Sequence, residues 1–369
     1  MAENKRAKTV LILSNHFVTL FFFRRELIER LIGLGYRVCI SMPEDERNSF
    51  FEELGCQVIV TPMSRRGINP AEDLRLIMEY RRIMRELKPD VIFSYTIKPN
   101  IYGAMASNAL QLRQVCNVTG TGATFLKESP LSAVARVLYR ASLRRAYRVF
   151  FQNRGDRDYF VSHRMVRDNW ELLPGSGVNL QRHALRELPQ GDTVSFIYVG
   201  RIMAVKGVDE FLECARQIRQ RHPDTRFYMA GFVEEPRLEK LIGEYGREGV
   251  VEYLGFQEDI DHWIGACHCT ILPSLGGEGV PNVLLESAAI GRACIASRIS
   301  GSEDVVDDGH TGYLFTPGNA ADLIDKVERF LSLTAEERRA MGLAGRAKVE
   351  REYDRETVIA RYLREAEEA

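Results

Sequence analysis

Two glutamates, Glu278 and Glu286, stand in a segment whose residue types suit the binding of a phosphorylated sugar. The segment, residues 273–297, reads PSLGGEGVPNVLLESAAIGRACIAS, and its glycines precede a helix that we predict to begin near Pro281. The free amides and the dipole of a helix start attract anions. Glu278 in the turn can accept hydrogen bonds from sugar hydroxyls, and Glu286 in the helix can accept two from a vicinal diol such as ribose. The other predicted ligand contacts of this segment are Gly279, Val280, Pro281 and Asn282.

Two cations, Arg201 and Lys206, lie in a glycine-bounded loop, VGRIMAVKG at 199–207. The loop follows a predicted strand and precedes a predicted helix. Because arginine supplies a planar fork and lysine a compact charge, the pair suits a diphosphate. In both segments the alternative is a set of ordinary surface charges.

Alternating apolar runs and amphipathic stretches must position these residues. The first series predicts strands over 9–14, 37–41, 57–61, 90–94, 114–118 and 147–151, and helices over 20–34, 72–88, 98–110, 130–146 and 154–163. The second predicts strands over 194–200, 226–230, 250–254, 269–272 and 294–297, helices over 207–221, 236–246 and 281–290, and a helical tail over 319–366. Such alternation implies mostly parallel sheets covered by helices on both faces.

The two series predict two Rossmann-like α/β domains, 1–188 and 189–369, that face each other across a cleft. The length of 369 residues fits two domains. Residues 1–188 contain 29 Lys and Arg against 19 Asp and Glu, whereas the remainder contains 21 against 32, so we expect the first domain to meet an anionic partner. Because the net charge of the whole chain is close to zero, general nucleic-acid binding is disfavoured. Ligands of open parallel sheets lie at the carboxyl ends of the strands, so the cleft is the expected site.

Cysteine usage and apolar runs indicate a cytoplasmic protein. The seven cysteines are an odd number and lie mostly in apolar runs, as buried free thiols do. Cys267, His268 and Cys269 fall in a predicted buried strand without a second ligand pair at a zinc spacing, so we predict no metal site. The longest apolar run, at 17–23, is far shorter than the ~20 residues that span a bilayer. The N-terminal residues lack the apolar core of a signal peptide.

Together these segments resemble the family-4 glycosyltransferases, retaining nucleotide-sugar transferases with the GT-B fold. The resemblance is carried by G-R…K-G (200–207), LGF (254–256), the Glu-x7-Glu segment (278–286), GSEDVVDDG (301–309) and GYLF (312–315). NVTGTG (117–122) and FQNRGD (151–156) resemble the subgroup that builds bacterial capsule, O-antigen and glycoprotein glycans. The match spans nearly the whole chain.

The resemblance implies a role for each matching residue. Arg201 and Lys206 would neutralise the leaving nucleotide diphosphate. Glu278 would bind hydroxyls of the donor sugar, and Glu286 would bind the ribose. The base would be held through the backbone of the turn that contains Leu254, Phe256 and Gln257. The resemblance also implies front-face transfer with retention, no metal, no cofactor, and a last helix that crosses back to the first domain.

The sequence departs from the family pattern in three places. The loop after the first strand, SNHFVTLFFFRREL, lacks the glycine-rich turn of many members, so Asn15 or His16 is expected to line the cleft. After the strand at 90–94, where many members carry a histidine, the polar candidate is Lys98. Three residues separate Pro-Ser from Glu-Gly in the Glu-x7-Glu segment, one more than expected, which would widen the sugar pocket. The expected acceptor side is completed by Thr119 and Gly120.

A basic helix in the first domain is a second candidate site. Arg136, Arg140 and Arg144 recur every four residues and share one face of the helix predicted over 130–146, with Arg145 beside them. A basic amphipathic helix can lie against anionic lipid or a lipid diphosphate, and a solvated face is the alternative. Residues that would extend this patch are Arg24, Arg25, Arg65 and Arg66.

The leading interpretation is a retaining hexosyltransferase. It would move one sugar from a nucleotide-sugar, UDP-HexNAc or UDP-hexose, to a polyprenyl-diphosphate-linked saccharide at the inner face of the cell membrane. A nucleotide-sugar epimerase shares the fold, but it needs acid–base carboxylates that we do not find. A non-catalytic sugar-binding protein would not need the complete set of charged residues. A dehydrogenase is disfavoured because no G-x-G-x-x-G follows the strand at 9–14 or at 194–200.

Overall fold

The computed structural model describes residues 7–64, 69–125 and 129–369. The chain forms two compact units: unit 1 comprises Met1–Ser176 with Glu356–Ala369, and unit 2 comprises Gly177–Arg355. The division therefore precedes the predicted boundary at residue 188. The intervening residues belong to unit 2 because backbone hydrogen bonds tie Val178 to Tyr353 at 2.8 Å and Arg186 to Ile290 at 3.1 Å.

Unit 1 is built on a seven-stranded parallel sheet in the order β3-β2-β1-β4-β5-β6-β7. Its central strands are short apolar runs that are buried on both faces, as parallel strands between helix layers must be. The strands are β1 (Thr9–Leu13), β2 (Arg37–Met42), β3 (Gln57–Val60), β4 (Val91–Tyr95), β5 (Gln114–Val118), β6 (Arg148–Phe151) and β7 (Trp170–Leu172).

The helices of unit 1 differ from the prediction mainly at their ends. The helix predicted over 20–34 is divided at Arg24, whose backbone has φ −135° and ψ −1°, and the one predicted over 98–110 begins as a π-helical turn, Pro99–Gly103. The helix predicted to reach residue 146 ends at Leu143. The helices are α1 (Phe17–Phe23), α2 (Arg25–Gly33), α3 (Ser49–Glu53), α4 (Pro70–Leu87), α5 (Ala104–Leu110), α6 (Pro130–Leu143) and α7 (Arg154–Ser162).

Unit 2 is built on a six-stranded parallel sheet in the order β10-β9-β8-β11-β12-β13. Its strands are β8 (Ser195–Val199), β9 (Arg226–Ala230), β10 (Glu252–Tyr253), β11 (Cys269–Leu272), β12 (Ala293–Ser297) and β13 (Gly312–Phe315). Its helices are α8 (Val208–Arg221), α9 (Pro236–Arg247), α10 (Ile260–Gly265), α11 (Asn282–Ala289), α12 (Ser300–Val305), α13 (Ala320–Ser332) and α14 (Ala335–Glu352). The predicted class, two doubly wound parallel sheets, is confirmed.

Each sheet has one topological switch point, which is the place where the chain connections from two adjacent strands run towards opposite edges of the sheet. In unit 1 it lies between β1 and β4, and in unit 2 between β8 and β11. A crevice opens at the carboxyl ends of the strands at such a point, and ligands of open α/β sheets bind there. The topology thus selects the loops after β8 and β11 as the site in unit 2.

The last helix, α15 (Arg355–Glu367), completes the core of unit 1. The ring of Tyr362 packs edge-to-face on Phe93 and Phe150, with centroid distances of 5.0 and 5.2 Å. At the rim, Arg361 donates to Glu171 at 2.6 Å. The predicted return of the final helix to the first domain is therefore confirmed.

Candidate active site

The loop after β8 holds both predicted cations at the switch point of unit 2. The hydroxyl of Tyr198 donates to the carbonyl of Arg201 at 2.7 Å and fixes the start of the loop. A single helical turn ends at Gly207, which has φ +71°. A Cβ there would lie 1.9 Å from the carbonyl oxygen of Pro273, so only glycine allows the two loops to approach this closely.

The loop after β11 brings Glu278 to Lys206. The amide of Leu275 donates to the carbonyl of Val205 at 2.9 Å, which joins the two loops. The carboxylate of Glu278 accepts from the ammonium of Lys206 and from the hydroxyl of Ser274, the latter at 2.7 Å. The structure thus places two predicted catalytic residues in direct contact, in a half-buried setting where a fixed charge acts strongly on a ligand.

Arg201 lies on the same loop but has a different partner. Its guanidinium pairs with Glu234 at 3.2 Å, and its side chain is half-exposed. A surface pair of this kind contributes little to stability and is readily exchanged for another anion. Both cations are therefore held at the switch point by carboxylates, with Arg201 the more accessible of the two.

The helix after the second loop starts one residue later than predicted. Pro281 is extended, with ψ 115°, and α11 begins at Asn282 without a side-chain cap. A Cβ on Gly301 would lie 1.5 Å from the carbonyl oxygen of Gly279, so the GSED segment packs directly on the turn. The side chain of Val280 is buried in the core, whereas Oδ1 of Asn282 is buried without a hydrogen-bond partner.

Glu286 lies on α11 in a charged setting that sequence reasoning missed. Loss of hydration raises the pKa of its carboxyl group, while the nearby charges of His183 and Arg355 act to lower that pKa and Asp261 to raise it. Nδ1 of His183 is hydrogen-bonded to Asp261 at 2.8 Å. No local spacing signals these neighbours, because they come from three distant segments.

The turn after β10 carries the predicted base contacts. The amide of Leu254 donates to the carbonyl of Met229 at 2.8 Å. Gln257 donates to the carbonyl of Leu254 and accepts from the indole of Trp263 at 3.0 Å, so the turn is braced from two sides. Phe256 stacks on Phe232, which lies outside the predicted site residues. The sequence signal that could have identified Phe232 is the dipeptide Gly-Phe, which occurs after both of the neighbouring strands β9 and β10.

The residues predicted for the acceptor side follow strands β1, β4 and β5 of unit 1. His16 caps α1, with its Nδ1 accepting from the amide of Val18 at 3.2 Å, and Asn15 precedes it. Lys98 forms a largely buried ion pair with Asp73 of α4 at 2.9 Å, so its ammonium already has a carboxylate partner. Thr119 and Gly120 form the half-buried start of the loop after β5.

The basic patch lies at the C-terminal end of α6. Arg144 is the C-terminal cap of α6 and keeps helical backbone angles, φ −61° and ψ −19°, and Arg145 follows it. Arg136 donates to the hydroxyl of Tyr159 at 3.1 Å, and Arg140 to the carbonyl of His163 at 2.7 Å. Arg24 is only 3% exposed and Arg25 pairs with Glu29, while Arg65 and Arg66 lie outside the described residues.

Two doubly wound sheets, with paired cations and carboxylates at one switch point, define a GT-B glycosyltransferase. Two family models match the chain: "Glycosyl transferase 4-like domain" over residues 23–175 and "Glycosyl transferases group 1" over residues 184–348. The protein belongs to family 4 of the glycosyltransferases.

Curated relatives and solved structures agree with this assignment. A Campylobacter jejuni N,N'-diacetylbacillosaminyl-diphospho-undecaprenol alpha-1,3-N-acetylgalactosaminyltransferase is 25% identical over 95% of this chain and 96% of its own. An Escherichia coli UDP-Gal:alpha-D-GlcNAc-diphosphoundecaprenol alpha-1,3-galactosyltransferase is 24% identical over 73% of each chain. The crystal structure of Anabaena HepE in complex with UDP and glucose has a TM-score of 0.80 at 17% identity, covering 98% of this chain and 100% of its own, which shows the fold alone.

Proposed function

We propose that the protein transfers one sugar, with retention, from a UDP-linked donor to a polyprenyl-diphosphate-linked saccharide in bacterial surface-glycan or glycoprotein-glycan assembly. The observation that carries the proposal is the contact of Lys206, Glu278 and Ser274 at the switch point of unit 2, with Arg201 on the same loop. Both relatives described above act, by their names, on diphospho-undecaprenol-linked sugars, and the HepE structure holds UDP.

In the proposed reaction, unit 2 stabilises the departing diphosphate. The bond between C1 of the donor sugar and the β-phosphate oxygen breaks, and C1 forms a bond to the acceptor hydroxyl oxygen on the same face. The acceptor proton passes to the departing phosphate oxygen. Negative charge therefore grows on the diphosphate, where Lys206 and Arg201 are preorganised to offset it. Glu278 would orient the sugar hydroxyls, and Glu286 would hold the ribose.

Unit 1 would receive the acceptor at an anionic membrane surface. Leu131, Val134 and Val137 are exposed on α6, next to the exposed Arg140 and Arg145. A second helix of unit 1, α4, exposes Leu74 and Met78, with the arginines Arg75, Arg82 and Arg85 lining the same surface. Exposed apolar side chains flanked by basic ones suit the interface of an anionic bilayer. Among the described helices, none has the length and hydropathy to cross a membrane.

The proposed function is tested by nucleotide release from a panel of UDP- and GDP-sugars, with and without a polyprenyl-diphosphate saccharide and in the presence of EDTA. We expect acceptor-dependent release of UDP from one donor, and loss of that release in Glu278→Ala and Arg201→Ala. Interconversion of the donor without an acceptor would instead identify an epimerase. Absence of nucleotide binding in the wild-type protein would contradict the proposal.

A further inference from the structure

We propose that Phe232 and Phe256 form a stacking platform for the nucleobase of the donor. The proposal rests on the proposed function and extends it to Phe232, which none of the motifs contains. The two rings stack face to face, with centroids 4.5 Å apart and planes 11° apart. Both lie at the surface: Phe232 is 59% exposed and Phe256 is 45% exposed.

Packing within unit 2 does not account for this pair. The other stacked aromatic pair of this unit, Phe196 with Phe227, is fully buried in the core. The stack of Phe232 and Phe256 instead leaves aromatic surface in contact with water. A planar heteroaromatic base can cover such a ring face, and base–aromatic stacking does not depend on which base is present. An exposed pair of nearly parallel, stacked rings is therefore suited to hold a base by its flat face.

The position of the pair fits a nucleoside diphosphate. Phe232 follows β9 and Phe256 follows β10, and the amide of Gly231 joins the two turns through a 2.8 Å hydrogen bond. The amide of Ile202, which follows Arg201, donates to the carbonyl of Phe232 at 2.8 Å. The aromatic platform and a phosphate-binding cation thus stand on adjacent chain segments. A ligand with a flat ring at one end and two phosphates at the other would meet both features.

The test is calorimetric titration of wild-type and variant proteins with UDP, GDP and inorganic pyrophosphate. For the nucleotide that the wild-type protein binds, we expect Phe232→Ala to weaken binding roughly tenfold, because one stacking face is lost. Binding of pyrophosphate, which has no base, should not change. Phe232→Leu keeps apolar bulk without a flat face and should lose most of the affinity, whereas Phe232→Tyr should retain it.

Trp263 supplies a local reporter for the same titration. Its indole donates to Gln257 on the base turn, and the chain has only one other tryptophan, Trp170. In a Trp170→Phe background, the nucleotide should change the tryptophan emission and pyrophosphate should not. Phe232→Ala should shift the midpoint of this change to about tenfold higher nucleotide concentration.

Three results would overturn the platform. Unchanged nucleotide affinity in Phe232→Ala would refute it and leave the proposed function standing. Equal losses of nucleotide and pyrophosphate affinity would show damage to the Arg201 loop instead of lost stacking. A dimer that Phe232→Ala abolishes, with nucleotide affinity unchanged, would assign the rings to self-association. If the wild-type protein binds neither UDP nor GDP, the proposed function itself fails, which is a separate outcome.

Discussion

At the scale of single residues, the most specific prediction concerns Lys206. It faces Glu278 and would face the departing diphosphate, so Lys206→Ala removes a preorganised charge and leaves the carboxylate to repel the phosphates. We expect a loss of roughly 10²–10³ in kcat, as for other single electrostatic groups. The measurement is acceptor-dependent nucleotide release. Lys240→Ala is the matched control, because Lys240 is an exposed lysine of α9. Equal rates in the two variants would contradict the assignment.

Glu286 gives a pH-dependent expectation. Burial raises the pKa of its carboxyl group, so the folded protein binds this proton more tightly than the unfolded chain does. As the pH rises above the pKa that this carboxyl group has in the unfolded chain, Glu286 lowers the free energy of unfolding. The decrease is complete once the pH exceeds the pKa of the group in the folded protein. Glu286→Gln should melt at a higher temperature than wild type at pH 8, with the difference shrinking as the pH falls towards 5. The same variant should bind the donor more weakly. If the wild-type protein melts at a higher temperature than Glu286→Gln at pH 8, this interpretation is wrong.

At the scale of elements, the interface of α6 is open to a direct test. Arg140→Glu with Arg145→Glu reverses two exposed charges next to the exposed Val137. Each basic residue near an anionic surface contributes about 1 kcal/mol, so binding to vesicles that contain anionic lipid should fall by more than tenfold. The measurement is vesicle sedimentation. Lys240→Glu in unit 2 is the control and should bind as wild type does. Unchanged binding by the double variant would place the membrane contact elsewhere.

The sequence predicted the elements whose pattern is long or strongly apolar. The central strands of both sheets are continuous apolar runs, and α4 and α8 have a clear helical period, so their types were correct and their ends were off by a few residues. The tail predicted as helical over 319–366 is three helices, α13, α14 and α15. The elements α3, β7, α10, α12 and β13 have three to six residues, which is too short for a periodic pattern to emerge. Their existence depends on the tertiary packing around them.

The candidate site was predictable where its residues share a local segment. Lys206 and Glu278 were identified because each stands in a glycine-bounded turn next to a strand. The partners of Glu286 were not, since His183, Asp261 and Arg355 meet only in the folded chain. The end of α6 was predicted at 146, whereas the last helical residue is Leu143, and Arg144 caps the helix with backbone angles that are still helical.

At the scale of the whole molecule, the return of α15 to unit 1 makes a clear prediction. Tyr362 is almost fully buried among Phe93 and Phe150. Truncating a core aromatic to alanine costs roughly 3–5 kcal/mol, so Tyr362→Ala should lower the stability of unit 1 by about that amount. Denaturant unfolding followed by limited proteolysis should show early cleavage in unit 1, with unit 2 protected. Tyr253→Ala, an exposed tyrosine in unit 2, is the control. Early loss of unit 2 would contradict the assignment of α15 to the core of unit 1.

The same helix sets the order in which the protein can mature on the ribosome. Unit 1 is formed by segments on both sides of unit 2 in the sequence, so its core stays open until α15 has been translated. Unit 2 is encoded by one uninterrupted stretch, so it can fold before α15 has been translated, whereas unit 1 cannot complete its core until then. A premature stop codon ahead of α15 would therefore leave the core of unit 1 incomplete, although most of unit 1 is synthesised before unit 2.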